Sequence, residues 1–519
     1  MGLLTFLLAF AMIPTVSVSD STLLNQSRQQ AEYYVGQIQM NREPEMHLWA
    51  LAQLCDSNTE VSAYIDTLSR SEYGSGLPFK PFCGGRSYNE LIELLAFKTR
   101  SPTLFIAALI SETSTAEQQK LRDLYIKEIG FPNKSTVQYQ ELTRRIIQDQ
   151  AIDSEVLPHE PFEFLHFLLF YNSNLIRKGV LPVPYFEKGS SVWFSSNPSF
   201  QKPTLKHSLF GATLLRALYM ADEYSKINEF DFSFVQDKLF PVSNMRLSIY
   251  SALDYSMYRL GYYDRSLKIL RTASIPLTRF FKQKETELND LMRQGAYLTQ
   301  IGKIEEAQQV NLKILSQADK HGINIDQAGL YNNLGITYER SGNFDKYLEL
   351  LFKALEEAKK QNNYSHQLDV LNNLYIFYRQ NNDPNTALLY LEEASKLAKG
   401  YGNQEDLGVI YTYLGTFYRK FQHNYALSLD YFNKAEAVFD NDNHFDSFLN
   451  LLYEKGKLYE EVEKYDLALN EYQEIIHLSQ DKSIWHFFEA LIHKAAVHLK
   501  LGELEQASQL ISDFASYDF

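Results

Sequence analysis

A regular period in the second half of the chain restricts its fold more than any other feature. The small or turn-facing residue of each unit recurs at steps of 41, 40, 40, 40, 41 and 39 residues. These positions are Asp254, Gly295, Gly335, Tyr375, Gly415, Gly456 and Ala495. A repeat of this length is typical of stacked helical pairs, because one pair cannot bury its apolar face alone. The period predicts about seven units between residues 247 and 519.

Each unit also repeats a turn. Four units carry glycine between their two helices, where a positive φ has no steric cost for that residue. These glycines are Gly261, Gly302, Gly342 and Gly502. Asn382 replaces glycine in one unit, whereas Gln422 and Glu463 depart from the pattern. A small residue is expected early in each second helix, and Tyr347 is the exception, which predicts a different packing in that unit.

The repeats resemble the tetratricopeptide repeat (TPR) family. The resemblance is carried by Tyr331 to Tyr338 (YNNLGITY), followed by Gly342 and then Lys353 with Ala354. The segment from Tyr411 to Ala435 has the same pattern with one inserted residue. The resemblance covers about 270 of the 519 residues and implies an all-α fold that ends in a right-handed superhelix of helical hairpins. It also implies a protein or peptide ligand in the groove of that solenoid.

The resemblance also suggests which polar side chains bind the ligand. Asn332 and Asn333 occupy the same place in their unit as Asn372 and Asn373 in the next. In peptide-binding branches of the family an asparagine at this place pairs with the backbone of the ligand, which is the role implied for Asn333 and Asn373. An asparagine amide can both donate and accept such hydrogen bonds. The alternative is that these residues are only polar helix surface.

Basic side chains near the ends of the same helices form a second candidate site. They are Arg340, Arg379, Arg419 and Lys420. Stacking of the units should bring them into a row that could bind a ligand carboxylate or acidic side chains. The alternative, which we favour, is chance together with the favourable placement of cations at helix C-termini.

The N-terminus resembles a secretory signal peptide. An apolar run up to Ile13 is followed by Pro14 and by small residues ending at Ser19, although no Lys or Arg precedes the run. The run is shorter than a membrane-spanning helix requires. We therefore expect residues 1–19 to be removed, or kept as an anchor, and the mature chain to be exported to the periplasm or outside the cell, with no membrane span of its own.

Two cysteines, Cys55 and Cys83, are the only ones in the chain. In an exported protein such a pair is most simply a disulfide, and two buried free thiols are the alternative. The bond would close a loop within an N-terminal helical domain, residues 20–178. In that domain Ser87 with Glu90, and Ser114 with Glu117, have the spacing of helix capping boxes.

Composition separates this domain from the repeats. Glycine, proline and serine are concentrated in residues 179–204, which predicts a linker, and residues 205–246 are expected to form a helical connector to the repeats. The net charge of −14 disfavours a general nucleic-acid or anionic-membrane role, because both surfaces would repel the chain.

Signals for catalysis are weak. His159, Glu160 and His166 lack metal-ligand spacing, as do His493 and His498, and Gly84–Gly85–Arg86 lacks the Lys-Ser/Thr of a phosphate-binding loop. We therefore predict no enzyme, no cofactor and no metal. The leading hypothesis is an exported binding scaffold or adaptor. The alternatives are a periplasmic sensory input domain for a membrane signalling system, and an enzyme with an unrecognised site in residues 20–205.

Overall fold

The computed structural model describes residues 19–101, 239–323, 325–401, 404–439, 445–479 and 484–515, with isolated positions between 104 and 235. Within these ranges every regular element is helical, so the predicted all-α class is confirmed. The chain divides into two compact units, Met1–Tyr297 and Leu298–Phe519. Among the described helices, none is both long and apolar enough to cross a membrane.

Four helices form the described N-terminal part of the first unit: α1 (Asp20–Gln39), α2 (Pro44–Cys55), α3 (Thr59–Arg70) and α4 (Tyr88–Thr99). Ser19 caps α1, since its side chain accepts a hydrogen bond from the backbone N–H of Thr22. The predicted capping box of Ser87 and Glu90 is confirmed at the start of α4. The buried faces of these helices share one apolar core around Trp49.

The two cysteines lie in this core and their sulfurs are at bonding distance, 1.96 Å. Cys55 is the last residue of α2, and Cys83 lies in the loop before α4. The carboxylate of Asp66 on α3 accepts hydrogen bonds from the backbone N–H groups of Cys83, at 2.7 Å, and Gly84. The disulfide and Asp66 together hold a loop that has no regular structure beyond a short 3₁₀ turn at Glu72–Gly74.

From residue 244 onward the first unit contains the start of the repeats. The helices described there are α5 (Asn244–Arg259), α6 (Tyr263–Ile269), α7 (Ile275–Phe280) and the first part of α8 (Lys284–Gln300). A π-helical turn, Leu270–Ser274, separates α6 from α7 just before Pro276. The second helix of this first repeat is therefore irregular, as terminal repeats commonly are.

The second unit consists of helices that pack in sequence order. They are α9 (Ile304–His321), α10 (Gln327–Arg340), α11 (Phe344–Lys360), α12 (Tyr364–Gln380), α13 (Pro384–Tyr401), α14 (Gln404–Gln422), α15 (Tyr425–Glu436), α16 (Phe445–Glu461), α17 (Tyr465–Ser479), α18 (Ile484–Leu501) and α19 (Leu504–Ala515). From α10 onward they form five pairs, and each pair packs against the next. This is the stacked-hairpin architecture that the period predicts.

The turns within the pairs share one backbone geometry. A residue with positive φ follows each first helix, and it is glycine at Gly302, Gly342 and Gly502. The next residue's N–H bonds to a carbonyl five residues earlier, for example Asn343 to Tyr338 at 2.8 Å. This bond is characteristic of the Schellman motif, which ends a helix by satisfying its free carbonyls.

Two units without glycine keep the same turn. Asn382 and Glu463 have φ of 58° at this position. In the unit with one inserted residue, His423, and not Gln422, has the positive φ of 49°. The left-handed residue is thus kept where the sequence departs from glycine, and the inserted residue lengthens the closing hydrogen bond to six residues, from the N–H of Asn424 to the carbonyl of Tyr418 at 3.0 Å.

In the unit that contains Tyr347, the small residue lies on the first helix and the large residue on the second. Tyr347 is buried on α11, and a Cβ placed on Gly335 of α10 would lie 3.3 Å from its ring. In the next unit, Tyr375 is buried on the first helix and Ala387 is buried on the second. Gly335 therefore provides the space for Tyr347, which explains the predicted difference in packing.

Several predictions lie outside the described residues. These are the signal segment up to Val18, the Ser114–Glu117 capping box, the 179–204 linker, and His159, Glu160 and His166. The domain limits at 178, 204 and 246 stay predictions.

Candidate functional site

The first helices of the pairs, α10, α12, α14, α16 and α18, carry the side chains that the sequence singles out. We call their shared surface the first-helix wall. It belongs entirely to the second unit, Leu298–Phe519. The contacts of the predicted residues on this wall decide which of them remain available to a ligand.

The asparagines are partly used within the protein. Asn373 on α12 donates from Nδ2 to Oδ1 of Asn332 on α10 at 2.8 Å. Asn372 Oδ1 is buried and accepts no hydrogen bond from any described residue. Asn333 is half-buried, and its amide makes no hydrogen bond within the described part of the chain. Asn333 is therefore the asparagine best able to bind the backbone of a ligand.

Arg340 has a structural contact. Its Nη1 donates to the backbone carbonyl of Thr299 at 2.8 Å, and its Nη2 lies 3.3 Å from Oε1 of Gln300. Both acceptors lie at the C-terminal end of α8, where backbone carbonyls lack helical partners. The guanidinium thus caps a neighbouring helix.

Arg419 is even more fully engaged. It is 2% exposed, and its guanidinium forms ion pairs with Glu454 and Glu461 of α16. Both carboxylates belong to the next repeat pair, so Arg419 joins α14 to α16. A ligand would have to displace these two partners from a buried guanidinium, and we exclude Arg419 from the candidate ligand-binding residues.

Three other cations, on α12, α14 and α16, remain without a carboxylate partner in the described part of the chain. Arg379, Lys420 and Lys457 form no ion pair within 4.0 Å in the described part of the chain, and we call them the cation cluster. The guanidinium carbon of Arg379 lies 5.4 Å from the ring centre of Tyr375, and Nζ of Lys457 lies 4.9 Å from that of Tyr453. Such cation–π contacts hold the charges in place without neutralising them.

The pKa of Lys420 reflects the charges that surround it. Burial lowers the pKa of its ammonium group, and the charges of Arg419, Arg379 and Lys457 lower it further, while Glu454 acts in the opposite direction. The ammonium group is thus partly removed from water and surrounded mainly by like charges. An anion bound here would relieve that repulsion.

Of the cation cluster, the sequence pattern singles out Arg379 and Lys420 as candidates but does not include Lys457. Arg379 lies four residues after the small position of its unit, Lys420 five after, and Lys457 one after. Residues at i, i+3 and i+4 share one helix face. Projecting the first helices onto the helical period would have found Lys457, whereas a search for cations near helix ends could not.

A hydrogen-bonded network adjoins the cluster on α16 and α18. Tyr453 Oη lies 2.9 Å from His493 Nε2, and the hydroxyl of Tyr472 donates to Glu460 at 2.6 Å. Burial alone would raise the pKa of Glu460, but hydrogen bonds from His493, Lys500 and Tyr472 lower it to about 2. Glu460 is therefore an ionised carboxylate whose charge is balanced by its own partners, such as Lys500. It does not compete with a ligand for the cation cluster.

Metal chemistry finds no support in the described residues, where no group of three or more His, Cys, Asp or Glu side chains could hold an ion. His493 bonds to Tyr453, and His498 Nδ1 lies 2.6 Å from Glu503 Oε2. These two histidines thus have partners within the helix pairs.

No protein-family model and no curated protein sequence matches the chain. Similar solved structures include a Rap protein complexed with competence and sporulation factor, at TM-score 0.41 and 13% identity over 73% of this chain and 98% of that one. A STAND protein with a tetratricopeptide repeat sensor from Pyrococcus horikoshii gives TM-score 0.39 and 14% identity over 87% and 72%. The APC/C hetero-tetramer Cut9–Hcn1 gives 0.36 and 13% over 87% and 76%.

Superpositions at these TM-scores carry no argument about shared function. The repeat assignment depends instead on the helix pairs, their forty-residue spacing and their common left-handed turn. The repeats are tetratricopeptide-like.

Proposed function

We propose that the tetratricopeptide-like repeats bind another polypeptide along the first-helix wall and hold an acidic group of that ligand at the cation cluster. The observation that carries this proposal is the set of three unneutralised cations on successive first helices, α12, α14 and α16. The chain as a whole has a net charge of −14, so this positive patch is not a general property of its surface.

Recognition of a carboxylate fits the chemistry of the cluster. Arg379 can form two parallel hydrogen bonds with a carboxylate, and the two lysines add point charges. Asn333, on α10, is available to pair with the backbone of the same ligand. An extended peptide with an acidic side chain or a free C-terminus supplies both kinds of group.

Selection from a random peptide library tests the proposal. We expect the selected peptides to be acidic and to lose affinity about tenfold or more for the Lys420→Ala/Lys457→Ala variant, since charge-assisted hydrogen bonds are lost. The matched control is Lys346→Ala/Lys353→Ala, which removes two exposed lysines that pair with Glu349 on the second helix α11. Affinity should not change in that control.

Two results would contradict the proposal. One is a set of selected peptides without enrichment of acidic groups. The other is equal loss of affinity in both double variants, which would indicate that only total charge matters. Fluorescence polarisation with a labelled peptide and its amidated counterpart measures both effects.

We further propose that the chain is exported to the periplasm or outside the cell. The apolar N-terminal run and the bond between Cys55 and Cys83 support this, because disulfides persist mainly in oxidising compartments. Mass spectrometry of the protein from fractionated cells should find Asp20 as the N-terminal residue, outside the cytoplasm. An intact Met1 in the cytoplasmic fraction would contradict export.

A further inference from the structure

A separate feature of the first unit is a cavity of about 960 Å³. Its described walls are the end of α2, the start of α4, one face of α5, the first half of α8 and residues 212, 215 and 219. This volume is in the range of sites that enclose a small organic molecule. None of the residues that bind the peptide in the proposed function lies in it.

The disulfide positions one wall of this cavity. Asp56 follows Cys55 directly, and the chain from Cys83 leads within a few residues to Ser87 and Tyr88. Asp56, Ser87 and Tyr88 all line the cavity. The wall is thus fixed by a covalent link, which favours a preformed site over a gap between mobile elements.

The lining offers aromatic and apolar surface. Tyr219 and Tyr255 stand edge to face with their ring centres 5.6 Å apart, and Tyr88, Leu215 and Met245 add further apolar surface. Rings in this arrangement can contact either an apolar body or the face of a cation. The body of a ligand here should therefore be apolar or aromatic.

The charge of the lining favours a cationic ligand. Asp56 Oδ2 accepts a hydrogen bond from the neutral amide of Asn244 at 3.2 Å, and no basic side chain lies within 4.0 Å of it among the described residues. Asn244 is in turn held by Gln283, whose Nε2 donates to Asn244 Oδ1 at 2.8 Å. Asp56 is thus an oriented carboxylate without a counter-ion in the described chain.

The other charged residue of the described lining, Arg293, is already neutralised. Its guanidinium pairs with two buried carboxylates, Asp254 at 2.9 Å and Asp290. Two acids face one guanidinium, and Asp290 Oδ2 has no hydrogen-bond partner among the described residues. An anionic ligand would therefore gain little from Arg293.

We propose that this cavity binds an organic amine, with its ammonium group against Asp56 and its apolar body among Tyr88, Tyr219 and Tyr255. The amine completes the ion pair that Asp56 lacks, and the tyrosine rings contact its apolar body. This site is independent of the first-helix wall, so failure of one proposal leaves the other standing.

Three indole compounds of similar shape and different charge test the proposal by calorimetry on the full-length protein. Tryptamine carries an ammonium group, tryptophol is neutral, and indole-3-propionate is anionic. We expect tryptamine to bind about tenfold more tightly than tryptophol, and the anion to bind least. In the Asp56→Asn variant, tryptamine should fall to the affinity of tryptophol, while tryptophol itself is unchanged.

Two further variants locate the site and control for charge. Asp264→Asn removes an equal charge from an exposed position outside the lining and should change nothing. Ser248→Trp places a large side chain into the cavity from an exposed position of α5 and should abolish binding of all three compounds. Thermal melts identify any variant that fails to fold. In that case the order of affinities of the three compounds for the wild-type protein tests the proposal.

The proposal is overturned if tryptamine and tryptophol bind equally well, or if Asp56→Asn leaves tryptamine binding unchanged. It is also overturned if tryptamine, phenethylamine and octylamine all fail to bind saturably up to about 10 mM, a concentration at which even weak sites fill.

Discussion

The left-handed residue in each repeat turn shows how backbone geometry is kept when side chains change. Glycine enters this region freely, whereas other residues place their Cβ too close to the backbone. Glu463 occupies it with φ of 58° and an exposed side chain. The two helices on either side determine the turn. Glu463 therefore adopts the left-handed conformation despite its backbone strain.

Glu463→Gly should therefore stabilise the protein. Removal of the strain should raise the free energy of unfolding by about 1 kcal/mol. The matched control is Glu356→Gly within α11, where the same change should lower it by about 1 kcal/mol because glycine is a poor helix former and the exposed ion pair with Lys360 is lost. Urea unfolding of the two variants measures both signs, and equal signs would rule out this explanation of the turn.

The small residues of the first helices have a different role, that of close packing. A Cβ on Gly415 would lie 2.5 Å from the ring of Phe432, which is fully buried. Gly415→Ala should lower the free energy of unfolding by about 1 to 3 kcal/mol through overpacking. Gly400→Ala, in a helix position with no neighbour within 4 Å, is the control and should be neutral or slightly stabilising. A neutral Gly415→Ala in chemical denaturation would contradict the packing.

Between elements, a histidine–aspartate contact links successive repeat pairs. His366 Nε2 on α12 lies 2.6 Å from Oδ2 of Asp326, the N-cap of α10, and His366 Nδ1 lies 3.5 Å from Asp369. Hydrogen bonds to Asp326 and Asp369 raise the pKa of His366 to about 10, while burial opposes this. The contact therefore favours the charged imidazolium in the folded state.

Stability should depend on pH through this contact. The pKa of His366 is higher in the folded chain than its ordinary 6.5, so the stabilisation is fully present below about 6.5 and is lost as the pH rises towards 10. His366→Gln should lower the melting temperature at pH 6, and the difference from the wild type should shrink towards pH 10. His321→Gln, at an exposed position of α9, is the control. A difference that is constant with pH would exclude the ion pair.

The repeat helices could be predicted from sequence because the period, the glycine turns and the small residues all repeat locally. The inserted residue in the fifth unit moved the turn from Gln422 to His423, which a fixed spacing cannot anticipate. The π-helical turn at Leu270–Ser274 has no comparable signal in the sequence. Irregularities of this kind depend on packing between elements that are distant in the chain.

The candidate site could be predicted less well than the helices, because it too depends on contacts between elements that are distant in the chain. Arg379 and Lys420 stay candidates, whereas Arg340 and Arg419 resemble them in sequence and are distinguished only by their partners, Thr299 and Glu454 with Glu461. Those partners lie 35 or more residues away. Whether a cation is free or neutralised is a property of the stacked array and not of its own helix.

At the scale of the whole molecule, the disulfide acts on one of the two units. Cys55 and Cys83 are 28 residues apart, and opening this loop should cost about 3 to 4 kcal/mol in the unit that contains it. Hydrogen exchange after reduction should increase in α2, α3 and α4, whereas the pairs from α10 onward should keep their protection. The Cys55→Ser/Cys83→Ser variant should behave like the reduced protein. An increase spread evenly over both units would contradict this.

The three members of the cation cluster come from three successive helix pairs, so the curvature of the stack sets their separation. Repeat arrays of this kind are elastic, since each pair contacts only its neighbours. In the proposed function, stretching or unwinding the array would draw the charges apart and weaken the binding of an acidic group, and a bound ligand would resist that deformation. If the cluster binds as proposed, affinity and mechanical stiffness are coupled in these repeats.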